Sequence, residues 1–212
     1  EPNGAGIAKL AKIVPPAAKI STKFIVATDI STPLLGENGA ALQFAEQKGA
    51  TREEAEQLEA NMKHLVDVAQ KSFGKSLHDA PGAGSAGGCG YGLMTFLDAK
   101  RVSGFDLFAK YADLESHIKS CNILITGEGK FDKTDAQGKG PYALAKLAAK
   151  YKKPVWIFCG SADVTDKDLA DMKLSNVKIG QILPMAPNMV EAQNRAPKFL
   201  SHLARDFVAA LK

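Results

Sequence analysis

Three stretches of this sequence hold side chains whose types and spacing could do chemistry. The densest is ITGEGKFDKTDAQGKGP, residues 125–141, which sets Glu128, Lys130, Asp132, Lys133, Asp135 and Lys139 among glycines. Carboxylates beside lysines suit a phosphate group together with its magnesium ion. The glycines let the backbone turn sharply or lie close against a ligand. On spacing alone, the same residues read equally well as a solvated turn with ordinary surface charges.

The second stretch is FIVATD, residues 24–29, an apolar run that ends on Thr28 and Asp29. An acid there could hold a metal or a substrate hydroxyl, or cap the following turn through an Asx bond. The third is APGAGSAGGCGYG, residues 80–92, in which Gly82, Gly84 and Gly87 match G-x-G-x-x-G. As a dinucleotide fingerprint it fails, because His78-Asp79-Ala80-Pro81 is no apolar strand and the fingerprint must follow one. What survives is a loop of small residues feeding a helix, whose backbone N–H groups could cradle an anion. The rival reading is close packing between elements. The glycine density exceeds what packing needs and favours the anion.

The elements that must position these groups follow from periodicity. Ile123-Leu124-Ile125 reads as a buried parallel strand that Thr126-Gly127-Glu128-Gly129 breaks. Gly138-Lys139-Gly140-Pro141 then leads into helical spacing at Ala143, Leu144, Leu147 and Ala148, with Pro141 suited to a first helical turn. Further strands are expected at 24–27, 155–159 (ended by Gly160-Ser161) and 178–184. Thr51 and Glu54 form a capping box. It opens the clearest helix, with Ala55, Leu58, Met62, Leu65, Val66, Ala69 and Phe73 on one face and Gly74 as its left-handed stop. His64 falls off that stripe. Other helices are expected at 40–47, 93–97, 105–121 and 190–211, the last kinked or restarted at Pro197, with one short helix near residues 7–14. From Asn122 onward strands alternate with helices, which predicts a parallel α/β sheet with right-handed crossovers. The pattern before it is mixed, and a boundary is placed near residue 119.

Composition bounds the function classes. The 212 residues are 45% apolar and 24% charged, values of an ordinary globular protein. The net charge of +4 is spread rather than blocked, so no nucleic-acid partner is called for. The apolar runs are too short to cross a membrane as helices. Cys89, Cys121 and Cys159 form no CxxC pair, and buried free thiols in a reducing cytoplasm are the expected state. No His/Cys cluster suggests zinc. The opening EPNGAG, without methionine, suggests a processed product.

Residues 27–40 (ATDISTPLLGENGA), 47–51 (QKGAT), 82–88 (GAGSAGG) and 125–129 (ITGEG) through Gly138-Lys139 and Pro141 together resemble the bacterial glycerate kinase family of the first type. Order and spacing agree across nearly the whole chain. The family usually has Gln-Thr where Thr134-Asp135 stand and often His at the place of Gln137, and its chains are considerably longer. The match is to their carboxyl-terminal part.

This resemblance implies ATP-dependent phosphorylation of D-glycerate with Mg2+, in a cleft between two α/β domains. Residues 1–118 would be the end of an inserted mixed α/β domain. Residues 119–212 would close a flavodoxin-like or Rossmann-like three-layer domain with a parallel sheet. Asp29 and Glu128 are the candidates for magnesium or for orienting the glycerate hydroxyl. Asp132 is a candidate base or second metal contact, and Lys139 would neutralise phosphate. Gly82, Gly84, Ser85, Gly87 and Gly88 would bind phosphate or the glycerate carboxylate, with Thr126, Gly127 and Gly129 at the nucleotide. The choice of base and metal ligand, the 2- or 3-hydroxyl as acceptor, and a homo-oligomer all stay open. An amino-terminal half, cleaved before Glu1 and bound non-covalently, is expected as a partner without which the chain is not a competent kinase. The rival is a regulatory module that binds an anion or nucleotide without turnover.

Overall fold

The computed structural model describes residues 3–18, 20–137 and 140–211. The chain forms two compact units, Glu1–Leu107 and Phe108–Lys212. Within the described residues no helix is long and apolar enough to cross a membrane.

In the first unit, a single 3-10 turn at Gly6–Lys9 stands where a longer helix was expected. Strand β1 (Ile25–Ala27) is followed by helix α1 (Ala40–Phe44) and the long helix α2 (Arg52–Phe73). The Thr51–Glu54 capping box forms in both directions, and Gly74 stops α2 at φ 67°, as the sequence predicts. Buried Ala55, Val66 and Ala69 lie on the expected stripe, and off it His64 Nε2 lies 2.7 Å from the Leu10 carbonyl. Helix α3 (Cys89–Phe96) begins earlier than expected, directly after the glycine loop. A strand the periodicity did not show, β2 (Lys100–Val102), pairs with β1 in parallel, Val26 opposite Arg101. Val26, Leu34, Val66, Ala69, Ala83, Tyr91 and Met94 form the core.

The expected helix over 105–121 is two helices, α4 (Gly104–Tyr111) and α5 (Leu114–Ser120), separated at Asp113 with φ 47°. The second unit then alternates strictly. It runs β3 (Leu124–Asp132), α6 (Gly140–Lys150), β4 (Val155–Asp163), α7 (Asp166–Asp171) and β5 (Val177–Gln181), then α8 (Met189–Asn194) and α9 (Ala196–Ala209). The sheet is parallel throughout, in the order β3-β4-β5. One face packs Phe131, Val155, Ile157 and Cys159 against Ala145 and Ala148 of α6. The other packs Trp156 against Phe199, Leu203 and Phe207 of α9. Burying each such side chain contributes about 1.5–3 kcal/mol.

Three expectations about this unit change. Thr126 to Gly129 does not break β3, and Gly160-Ser161 does not end β4, because the two strands stay paired through Asp132 and Asp163. The last helix does restart at Pro197 as expected, since Arg195 leaves helical geometry and Pro197 sits in the first turn of the next. Residues 182–184 leave the strand as a short turn.

The cysteines also differ from expectation. Cys159 is buried, Cys121 is half-buried with its thiol donating to the Ile118 carbonyl at 3.3 Å, and Cys89 is exposed. Burial, aided by the negative charge of Glu128, pushes the Cys159 thiol up to about 11. With little thiolate near neutral pH it is a poor nucleophile. We expect a maleimide reagent to label Cys89 first, Cys121 slowly and Cys159 only on unfolding. Mass spectrometry of timed samples checks the order, and early labelling of Cys159 contradicts it.

Candidate active site

In the second unit, β3 carries the acidic motif on the strand itself rather than on a loop after it. Glu128 pairs with Cys159 of β4, Lys130 with Ser161 and Asp132 with Asp163. Glycine is demanded where the two backbones close up. A Cβ on Gly127 would lie 2.4 Å from the Phe158 carbonyl oxygen, and one on Gly160 would lie 2.5 Å from that of Gly129. Gly129 has nothing within 4 Å of its Cβ position. Glu128 and Thr126 are half-buried. The Lys130 ammonium lies 3.3 Å from Asp132 and 3.9 Å from Asp163, tying the two strand ends together. Asp135, fully buried, accepts the Asp132 backbone N–H at 2.6 Å. Lys133 reaches Asp168 at 2.9 Å. The Thr165 backbone N–H, helped by Lys133, holds the Asp168 carboxyl down to about 2.

Middle residues of β3 and β4, Thr126 to Lys130 and Phe158 to Ser161, line a cavity of about 790 Å³. Thr126, Glu128, Lys130, Ser161 and Gln193 give it polar groups. Phe158, Ile182, Met189, Ala196 and Leu200 give it an apolar wall. Ligand pockets commonly have this size and this mixture, and Ile182 in the lining puts this one at the carboxyl end of β5.

In the first unit, the glycine loop divides into two parts with different reasons for glycine. Gly82, Gly84 and Gly90 are buried. Added Cβ atoms would lie 2.7 Å from Thr28 Cγ2, 2.3 Å from the Pro33 oxygen and 2.1 Å from the Gly82 oxygen, respectively. These three serve close packing. Residues 86–88 are all left-handed, at φ 50°, 69° and 104°, and the Cβ position of Gly87 faces open space. The anion reading therefore concentrates on Ser85 to Gly88. We expect Gly84→Val to destabilise the protein by about 1–3 kcal/mol through overpacking. Gly87→Val should lower the melting temperature less and weaken inorganic phosphate binding more. Thermal melts and calorimetry on both variants check this, and unchanged phosphate affinity in Gly87→Val assigns the whole loop to packing.

Ser85 is tied to the end of β1, where the hydroxyls of Thr28 and Ser85 lie 2.7 Å apart. Asp29 does not cap its own turn. Its carboxylate accepts from Ser103 Oγ at 2.9 Å and from the Phe105 N–H at 3.1–3.2 Å, across the sheet at the start of α4. A Cβ on Gly104 would come within 2.8 Å of it.

The structure thus groups Thr126, Gly127, Glu128 and Gly129 at the second unit's cavity, leaves Asp132 farther along β3 outside that lining, and groups Asp29 with Gly82, Gly84, Ser85, Gly87 and Gly88 in the first. Lys139 and Gly138 lie outside the described residues. Among the described residues, no three His, Cys, Asp or Glu side chains converge on a metal position. Magnesium is commonly held by one or two carboxylates plus substrate phosphates, and the Glu128 carboxylate beside the Thr126 hydroxyl offers such hard oxygen donors. Sequence reasoning missed Ser103, Arg101 and the apolar wall from α8 and α9. Their positions beside the site come from the parallel pairing of β2 and the docking of α9, which local pattern does not reveal.

A parallel sheet with helices on both faces defines an α/β protein, and comparison with known proteins narrows it. The glycerate kinase family profile matches residues 1–212, and the chain belongs to that family. It is 34% identical over 192 residues to glycerate kinase of Bacillus subtilis (strain 168), covering 91% of this chain and 50% of that one. It is 43% identical over 136 residues to glycerate 2-kinase of Escherichia coli (strain K12), covering 64% and 36%. A crystal structure from Salmonella typhimurium LT2, provisionally named glycerate kinase 2, superposes with a TM-score of 0.67 at 28% identity. It covers 98% of this chain and 53% of that one. The chain spans about half the length of the curated relatives it matches, or less.

Proposed function

We propose that this chain serves the ATP-dependent phosphorylation of D-glycerate in the cytoplasm. The observation that carries the reading is the family match over all 212 residues. The cavity along the middle of β3 and β4 supports it, because its apolar wall suits a purine base and its polar groups suit phosphates. Phosphoryl transfer is mostly positioning and charge neutralisation. Glu128, with Thr126, would hold magnesium or orient the acceptor hydroxyl, and Gly127 and Gly129 bring the backbone close to the nucleotide. Magnesium, when bound, neutralises the phosphate oxygens. Asp132 is the candidate base or second metal contact, with Lys130 beside it, and Lys139 would neutralise phosphate. Asp29 is the corresponding candidate in the first unit, where Gly82, Gly84, Ser85, Gly87 and Gly88 would hold an anionic group of the substrate.

The reading assigns residues 1–118 to an inserted domain and 119–212 to a flavodoxin-like one. The compact units divide earlier, between Leu107 and Phe108. It also includes a need for the segment that the relatives carry beyond the matched region.

The test follows transfer of the ATP phosphate to D-glycerate by 31P NMR, for the 212-residue chain and for a chain extended to the relatives' length. Phosphoglycerate formed by the extended chain supports the reading, and which hydroxyl is modified is read from the same spectrum. Nucleotide binding without any transfer defeats it and leaves a regulatory binding module.

A further inference from the structure

Arg101 carries the clearest unmet interaction in the first unit. It sits on β2 directly opposite Val26. Its Nη2 donates to the Thr28 carbonyl at 3.5 Å, the far limit of a hydrogen bond, while Nε is fully buried without a hydrogen-bond partner. No carboxylate among the described residues pairs with it. The side chain is half-buried, held under the loop where Gly82 turns at φ 83°. A Cβ there would lie 3.1 Å from Arg101 Nε and 2.7 Å from Thr28 Cγ2. Thr28 in turn touches Ser85, whose hydroxyl opens the left-handed turn of residues 86–88.

A half-buried guanidinium whose Nε is shut off from water without an acceptor or a counter-charge is unfavourable, and an anion that binds beside it relieves the cost. The surroundings suit an oxyanion: two hydroxyls, a turn of small residues and open space at Gly87. A single guanidinium balances one carboxylate charge and matches its two oxygens with a planar fork. A polyphosphate would leave negative charge in excess. Building on the kinase reading, we propose that Arg101 binds the carboxylate of the hydroxy-acid substrate, with Ser85 as a second donor.

The experiment compares Arg101→Gln and Arg101→Lys with the parent in the family-length protein. Glutamine should raise KM for D-glycerate about ten- to a hundredfold, the loss expected for a charged hydrogen bond. It should leave kcat and KM for ATP nearly unchanged and the melting temperature level or higher. Lysine should restore part of the affinity. Calorimetry with glycerol, which lacks the carboxylate, should show no difference between parent and variants.

Unchanged KM for D-glycerate in Arg101→Gln overturns this proposal alone. So does a variant that melts earlier and loses ATP and D-glycerate together, since that marks a packing role. A variant weakened toward inorganic phosphate but not D-glycerate overturns the carboxylate assignment. A parent protein that transfers no phosphate to D-glycerate defeats the kinase reading, and this proposal with it.

Discussion

Glu128→Gln is expected to cut the turnover number for glycerate phosphorylation by about a hundredfold or more while the protein stays folded. The substitution keeps the shape of the side chain and removes one negative charge in the middle of β3, where Glu128 lies between two glycines on the cavity lining. Losing one group that stabilises developing charge commonly costs about this much. A local control is built into the fold. Glu128 contributes to the raised pKa of Cys159, so the variant's Cys159 should titrate below the parent's value of about 11. A thiol titration that moves down together with a collapsed kcat places the effect at this carboxylate. An unchanged turnover number removes Glu128 from the catalytic assignment.

Phe131→Ala is expected to have the largest effect on stability, about 3–5 kcal/mol. Phe131 has no exposed surface and packs with Ile118, Ala145, Ala148, Val155, Ile157 and Leu174. Domains of this kind are stable by only about 5–15 kcal/mol, so the change removes a large share of the margin. With urea slopes of about 1–3 kcal/mol per molar, the unfolding midpoint should fall by about 1 M or more. Chemical denaturation followed by circular dichroism measures it, and a midpoint within a few tenths molar of the parent would mean the site collapses around the loss. Phe131 lies between Lys130 and Asp132 on β3, so the residue that closes the core also fixes the strand carrying the acids.

The starts of the elements were legible and several of their ends were not. Both Ile123-Leu124-Ile125 and Val155 to Cys159 announce strands through apolar, β-branched runs, but only the second is buried, since Ile125 on the edge strand β3 is 56% exposed. Thr51 with Glu54, and Gly74, mark the ends of α2 because capping chemistry is local. Gly127 and Gly160 misled for a physical reason. Glycine was read as a breaker, yet each is where the neighbouring strand's carbonyl comes too close for a Cβ. The same ambiguity ran through residues 82–90, where packing and an open turn use the same residue type. Lys100–Val102 gave no strand signal, because β2 is held by pairing with β1 and not by a pattern of its own. Of the site, the acids on β3 were legible as candidates. Arg101 was not, since only tertiary structure shows that its Nε is buried without a hydrogen-bond partner among the described residues.

The packing of α9 on the sheet has an optical consequence. Trp156 is the only tryptophan in the chain. It is 6% exposed and stands edge-on to Phe207 of α9 at 5.2 Å, with Phe158 6.4 Å away. Phe158 also lines the cavity along β3 and β4. The indole therefore emits from an apolar setting shared by the terminal helix and the cavity wall. Excitation at the indole band isolates one fluorophore. A red shift registers α9 leaving the sheet, and a change in intensity without a shift registers a ligand settling against Phe158.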